Sequence, residues 1–201
     1  MRILVIGEGA SDRMLEHPLR WILLENNTSF EIIEPDYSLL KSNGPAVSER
    51  LSQGISHYSP DLTIIHRDAD STDPSERQIE CTSASDEFQG SLVVSCIPVR
   101  MSEAWFLFDE SALRIAAGNP SGNNSLSLPS VRSAERMANP KRALESALIQ
   151  ASGTTGRRRN KFVARLGQRK QRLASLIKDY SDLQSSNSFS DFRNAIERAI
   201  G

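Results

Sequence analysis

Cysteine is scarce in this chain. Cys81 and Cys96 are its only two, too few for a disulfide framework and without metal-ligand spacing, so both are expected to be reduced, buried thiols. No uninterrupted apolar run approaches the roughly 18 to 20 residues that cross a bilayer, which argues against a membrane partner. The amino terminus opens on a strand pattern without the basic and apolar segments of a signal peptide, and a cytoplasmic protein is expected. Nucleotide loops are missing as well. Gly7-Glu8-Gly9 begins like a dinucleotide fingerprint, but Asp12 stands where the third glycine belongs and Glu8 would sit against the phosphates. No Walker loop occurs, so ATP hydrolysis by this chain alone is not expected. His66-Arg67-Asp68 has the order of a kinase catalytic loop, yet nothing else in the chain matches a kinase. No internal repeat is visible.

What is present is an uneven charge distribution in an otherwise ordinary composition. The 201 residues are 38% hydrophobic and 24% charged, enough for one sizeable domain with or without an appendage. The net charge of −1 is the balance of two opposed halves. Residues 1–110 carry 19 acidic against 8 basic residues, a net of −11, and residues 111–201 carry 16 basic against 6 acidic, a net of +10. An acidic front half suits a metal site, and a basic back half suits a polyanion surface. Mutual attraction of the halves, or an acidic partner protein, accounts for the same numbers.

Strand and helix patterns alternate through the first hundred residues. Strands are expected over residues 2–6, 30–34, 62–66 and 91–97. Helices are expected over 12–25, with Ser11 as N-cap, over about 43–57, opened by Asn43-Gly44-Pro45, and from Asp73-Pro74 toward 88. This alternation predicts an α/β fold with a mainly parallel four-stranded sheet covered by helices on both faces. After Pro98 the pattern turns helical: a turn near 103–108, helices over 110–117 and 139–150, a basic helix over about 160–180 and a last one over about 190–200. Residues 118–131 read as a loop. The division expected is a metal-binding domain over 1–110 and a basic helical extension over 111–201 packed on it.

Acids cluster at strand ends. Arg2-Ile3-Leu4-Val5-Ile6 runs into Gly7-Glu8-Gly9, and Leu62-Thr63-Ile64-Ile65 runs into His66-Arg67-Asp68-Ala69-Asp70. Right-handed crossovers bring the two strand ends to one edge, where open α/β sheets bind ligands. Glu8, Asp68 and Asp70 would repel one another there without a cation, and carboxylate oxygens suit Mg²⁺ or Mn²⁺. The bland alternative is a helix-capping Glu8 and a loop turn at Asp68 and Asp70.

The strings VIGEGASD, IIHRDADS and IPVRMSEAWFLFD, in this order, resemble the TOPRIM fold. They look most like a family of small bacterial TOPRIM-like proteins related to the overcoming-lysogenization-defect (OLD) nucleases. The resemblance covers residues 1–110, and GRRRNKF and FSDFRNAIERAI look like that family's helical tail. It implies a glutamate at Glu8 that acts as general acid or base or helps hold metal, and Mg²⁺-binding aspartates at Asp68 and Asp70. It also makes Glu103 a second-metal ligand, against the simpler reading of a first-turn glutamate favoured by the helix dipole. Asp12 could reach the crevice or cap a helix, and Asp109 reads as a turn residue. Implied by resemblance are Mg²⁺-dependent phosphodiester hydrolysis in defence against phage or mobile elements and a separate ATPase partner.

Basic residues complete the picture. Arg67 and Arg100 flank the acids and could hold a phosphate or pair with the acids in a metal-free state. His66 could serve as a base, but a strand-end histidine is more often structural. The run Arg157, Arg158, Arg159, Lys161, Arg165, Arg169, Lys170 and Arg172 contains no acid. On one helix, Arg158, Lys161, Arg165, Arg169 and Arg172 fall on a stripe suited to nucleic-acid phosphates, opposite Phe162, Leu166, Leu173 and Leu176. Two other functions fit these residues: a non-catalytic nucleic-acid-binding or regulatory subunit of an ATPase-containing complex, and a phosphatase or phosphotransferase on small substrates.

Overall fold

The computed structural model describes residues 1–36, 40, 46–88 and 90–201. Four strands, β1 (Arg2–Ile6), β2 (Glu31–Ile33), β3 (Leu62–His66) and β4 (Leu92–Cys96), form one all-parallel sheet in the order β2-β1-β3-β4. The central strands β1 and β3 are near-continuous apolar runs because helices cover both of their faces. Successive side chains alternate between two cores. Ile3 and Val5 meet Leu19, Ile22 and Leu23 of α1 (Glu16–Glu25), whereas Leu4 and Ile6 meet Val47 and Leu51 of α2 (Val47–Tyr58) and Cys81 of α3 (Ser75–Asp86). Cys81 and Cys96 are both free and buried.

Helix beginnings depart from the sequence expectation in two places. A 3₁₀ turn, Ala10–Leu15, precedes α1, and Asp12 rather than Ser11 supplies its acceptor, taking the backbone N–H of Glu8 at 2.6 Å. Those bonds tighten the chain and delay the α-helix to Glu16. The expected opening of α2 at Asn43-Gly44-Pro45 lies outside the described residues. Asp73 does serve the start of α3, accepting from the Ser75 N–H at 3.0 Å.

The back part is helical. A 3₁₀ turn, Ser102–Phe106, leads to α4 (Glu110–Ala117), α5 (Val131–Arg136), α6 (Pro140–Ser152), α7 (Gly156–Val163), α8 (Leu166–Leu176), a 3₁₀ turn Ser181–Ser185 and α9 (Asn187–Ile200). The six-residue α5 was not expected; its cap at Ser130 is the only strong local signal. The single basic helix expected over 160–180 is two. Arg165 sits at φ −116 and ψ 16, and its N–H closes a tight turn on the Phe162 carbonyl, ending α7 before α8 begins. Among the described residues no helix is long and apolar enough to cross a membrane.

One apolar cluster runs from Ile3 of β1 to Ile196 of α9. Trp105 is its hinge point: fully buried, edge-on to Phe189 at 5.2 Å and donating its indole N–H to Ser188 Oγ at 3.2 Å. Trp105→Ala is expected to cost about 3–5 kcal/mol through the cavity it leaves, measured by urea unfolding.

Candidate functional site

Strand order reverses between β1 and β3: the chain steps outward from β1 to β2, then returns to the other side of β1 for β3 and β4. The crevice beyond the carboxyl ends of two such strands is the preferred ligand site of open α/β sheets. The pairing of Ile6 with Ile65 sets Gly7 level with His66 there.

The loop after β1 is built around Asp12. Its Oδ2 accepts from the N–H of Glu8 at 2.6 Å and of Gly9 at 3.3 Å, and Ser11 Oγ donates to Oδ1 at 3.1 Å. Asp12 comes so close to the backbone that a Cβ on Gly7 would lie 2.5 Å from Oδ2. Arg50 of α2, itself buried, donates to the Gly7 carbonyl at 2.8 Å and holds the loop from the other face.

His66 ties this loop to its neighbours. The ring is 1% exposed, with Nδ1 3.0 Å from Asp12 Oδ2 and Nε2 3.1 Å from Asp68 Oδ1. Asp68 Oδ1 also accepts the Ser102 N–H at 2.9 Å, from the turn that follows β4. Burial disfavours a charged imidazole, but hydrogen bonds and charge from Asp12 and Asp68 outweigh it and push its pKa up to about 9. Burial alone would raise the Asp12 carboxyl. The bond and charge of His66 reverse that and hold it below the usual value. Glu8 goes the other way: burial lifts its carboxyl above the usual value, against the pull of Arg67.

Beyond the sheet the loops after β3 and β4 stay paired. Ala69 N–H reaches the Pro98 carbonyl at 3.0 Å, Asp70 N–H the Arg100 carbonyl at 2.9 Å, and Arg100 N–H the Ser71 carbonyl at 3.0 Å. Asp70 (φ 57) and Arg100 (φ 59) both adopt the left-handed conformation, which costs a non-glycine residue roughly 1–2 kcal/mol and persists because the reciprocal bonds enforce it.

A cavity of about 200 Å³ opens at this edge, lined by Glu8, Asp12, Asp68, Glu103 and Lys141. Glu8, Asp68 and Glu103 thus come together from the ends of β1, β3 and β4. Asp70 does not join them: it is exposed, does not line the cavity and pairs with Arg77 of α3 at 3.5 Å. Every acid of the group has an internal cation. Glu8 meets Arg67 at 3.2 Å, Asp12 and Asp68 share His66, and Glu103 meets the buried Lys170 of α8 at 3.1 Å. Glu80 of α3 anchors both Arg67, at 3.4 Å, and Arg77, at 3.0 Å. Among the described residues no group of three or more His, Cys, Asp or Glu is arranged to hold a metal ion. The four carboxylates of the cavity are nevertheless hard oxygen donors of the kind Mg²⁺ or Mn²⁺ accepts. Gathering them round one ion requires exchange of the protein's own cations for it.

The basic residues do not form the expected stripe. Arg157, Arg158, Arg159 and Lys161 of α7, Arg165 between the helices and Arg172 of α8 are exposed, and no ion pair engages them among the described residues. Arg169 is used internally, donating to the Ala116 carbonyl at 3.0 Å with its guanidinium over Phe162. Arg100 lies on the loop ridge, with its Nε buried and unpartnered. Gln171 of α8 donates to the Ser11 carbonyl at 3.1 Å, so α8 flanks the acidic cavity. Asp109, read as a turn residue, caps α4 by accepting the Ala112 N–H at 2.8 Å.

Lys141, Arg77 and Glu80 escaped sequence reasoning, and Lys170, read as one of the basic run, was not expected to pair with Glu103. Lys170 left a signal: it occupies the apolar spacing Leu166-Lys170-Leu173, where a lysine needs a buried partner. The others carry none, since tertiary packing alone brings them to the site. Compared with known proteins, the chain matches no family model, no curated protein and no solved structure.

The charged histidine makes stability depend on pH. Because its folded pKa of about 9 exceeds the unfolded value of about 6.5, folding favours proton uptake. The contribution is complete below about pH 6.5 and is lost as pH rises through about 9. In metal-free buffer, the stability difference between wild type and His66→Gln should therefore shrink from pH 6 to pH 10 in urea titrations. A constant difference would place a neutral imidazole between the two aspartates.

Proposed function

We propose that the chain is a TOPRIM-like, Mg²⁺- or Mn²⁺-dependent phosphodiesterase acting on nucleic acid. One observation carries this reading: Glu8, Asp12, Asp68 and Glu103 line a single cavity at the reversal point of the strand order. The resemblance at VIGEGASD, IIHRDADS and IPVRMSEAWFLFD supports the same assignment, together with its setting in defence beside a separate ATPase.

Phosphodiesters resist hydroxide because both are anionic. A divalent ion held by Glu8, Asp68 and Glu103 would supply charge stabilisation at a phosphate oxygen and a more acidic water. The chain's own residues perform the rest. Where Asp68 and Glu103 alone hold the ion, Glu8, with its carboxyl lifted by burial, can instead carry a proton to or from the reacting oxygens. Lys141 lines the same cavity and offers a cation to a phosphate. Arg67, released from Glu8, reaches a phosphate as a planar fork. The exposed Arg157, Arg158, Arg159, Lys161, Arg165 and Arg172 position the strand through its backbone without reading sequence. Asp70 is left with a supporting part, pairing with Arg77 outside the cavity.

A second reading has its own observation. Each acid is already neutralised by Arg67, His66 or Lys170, as expected of a domain that keeps the TOPRIM-like frame for nucleic-acid binding or regulation without turnover.

Cleavage assays separate the two. With plasmid or oligonucleotide and Mg²⁺ or Mn²⁺, Asp68→Asn and Glu8→Gln should each lose about 10²-fold or more in rate, with the circular dichroism spectrum kept. Wild type that degrades nothing with either ion, alone or with its ATPase partner, would leave the binding reading. Reversing Arg158, Lys161 and Arg165 to glutamate should weaken nucleic-acid binding and flatten its salt slope by about 0.9 for each phosphate no longer neutralised. Unchanged binding would remove α7 from the interface.

A further inference from the structure

A second cavity, of about 410 Å³, lies between the starts of α3 and α9 at the outer edge of β4. It is separate from the acidic cavity, and nothing in the reading above uses it. We infer that it is a binding site for a nucleobase.

The edge of the sheet is the first reason. Arg67 N–H bonds the Cys96 carbonyl and Ala69 N–H the Pro98 carbonyl, so the even-numbered residues of this stretch turn their backbone groups toward β3. The alternation of a parallel ladder then turns those of Ser95 and Ile97 outward. β4 is the last strand of the sheet, and both residues line the cavity. A strand edge presents N–H and C=O side by side, the complement of a flat heterocycle with adjacent acceptor and donor.

The walls are the second reason. Val99, Phe192 and Ala195 give apolar surface for a ring, and the volume falls within the roughly 300–1,000 Å³ of small-molecule sites. Gln78, Asn187 and Asp191 place two amides and a carboxylate at the rim. A carboxylate there accepts from ring N–H and exocyclic amino groups. Among the described residues no lysine or arginine lines the cavity, and Asp191 repels anions, so the site disfavours a phosphate and takes the base with its phosphate outside.

Its place in the fold gives the site a use. Thr72 and Val99, which line it, belong to the paired loops that also carry Asp68 and Ser102 into the acidic cavity. One ridge thus supplies residues to both cavities. The base has two possible sources, a free nucleoside or a residue of a bound strand.

The test is isothermal titration of the full chain, in EDTA, with each of the four deoxynucleosides and with short homopolymer strands of each base. The comparison is with Ala195→Trp, which fills the cavity, and Asp191→Ala, an exposed change that leaves the core intact. At least one nucleoside should bind wild type. Ala195→Trp should abolish that binding at an unchanged melting temperature, and Asp191→Ala should weaken it roughly tenfold. A strand bound more tightly than its nucleoside, with the excess lost in Ala195→Trp, assigns the pocket to a bound strand; equal affinities assign it to free nucleosides. Failure of every nucleoside to bind wild type overturns the inference. So does undiminished binding by Ala195→Trp or, should that variant not fold, by Asp191→Ala.

Discussion

A buried imidazolium between two aspartates holds this end of the molecule together. His66 closes β3 with both ring nitrogens engaged, one by Asp12 of the loop after β1 and the other by Asp68, which in turn takes an N–H from the turn after β4. Three strand ends are fixed by one side chain. Removing His66 leaves two carboxylates facing each other without their shared cation, and removing either aspartate leaves one buried ring N–H unpaired, at a cost of about 1–3 kcal/mol. The surrounding sequence follows from that constraint: Gly7 has no room for a side chain beside Asp12, and Arg50 is buried to hold the Gly7 carbonyl.

The same economy of charge extends outward. Lys170 from the basic half is buried against Glu103 of the acidic half and Glu145 of its own, so attraction between the halves is realised beside the cavity. Arg67 and Arg77 share Glu80 and reach back to Glu8 and Asp70. Most of these pairs are partly exposed, where an ion pair contributes only about 0–1 kcal/mol and is easily exchanged. The acids are thus neutralised well enough to fold and loosely enough, at Glu8, to accept another cation. Among the described residues the exposed arginines of α7 and α8 have no such partners.

How much of this was legible in the sequence depends on the range of the interaction. The sheet was, because strands covered on both faces are near-continuous apolar runs, and Ile3 to Ile6 and, but for Thr63, Leu62 to Ile65 are. The meeting of Glu8 with Asp68 followed from crossover handedness alone. Local geometry was harder. The left-handed pair Asp70 and Arg100 turns Asp70 out of the cavity, and only the hydrogen bonds between two loops produce that turn. His66 read as a structural strand-end residue, and its two aspartates show what such a residue can organise. Arg169 looked like part of a charged stripe because its true partners, Ala116 and Phe162, depend on how α4 and α7 meet α8. Lys141 approaches the site from another helix entirely, beyond the reach of any spacing argument.

The central claim is that the acids of this cavity can give up their internal cations for a divalent one. A Mn²⁺ titration followed by electron paramagnetic resonance measures that exchange directly. The account predicts bound Mn²⁺ in the wild type and its loss when Glu103 is replaced by glutamine. Wild-type protein that leaves all the Mn²⁺ free in solution, or a variant that binds it equally well, would contradict it.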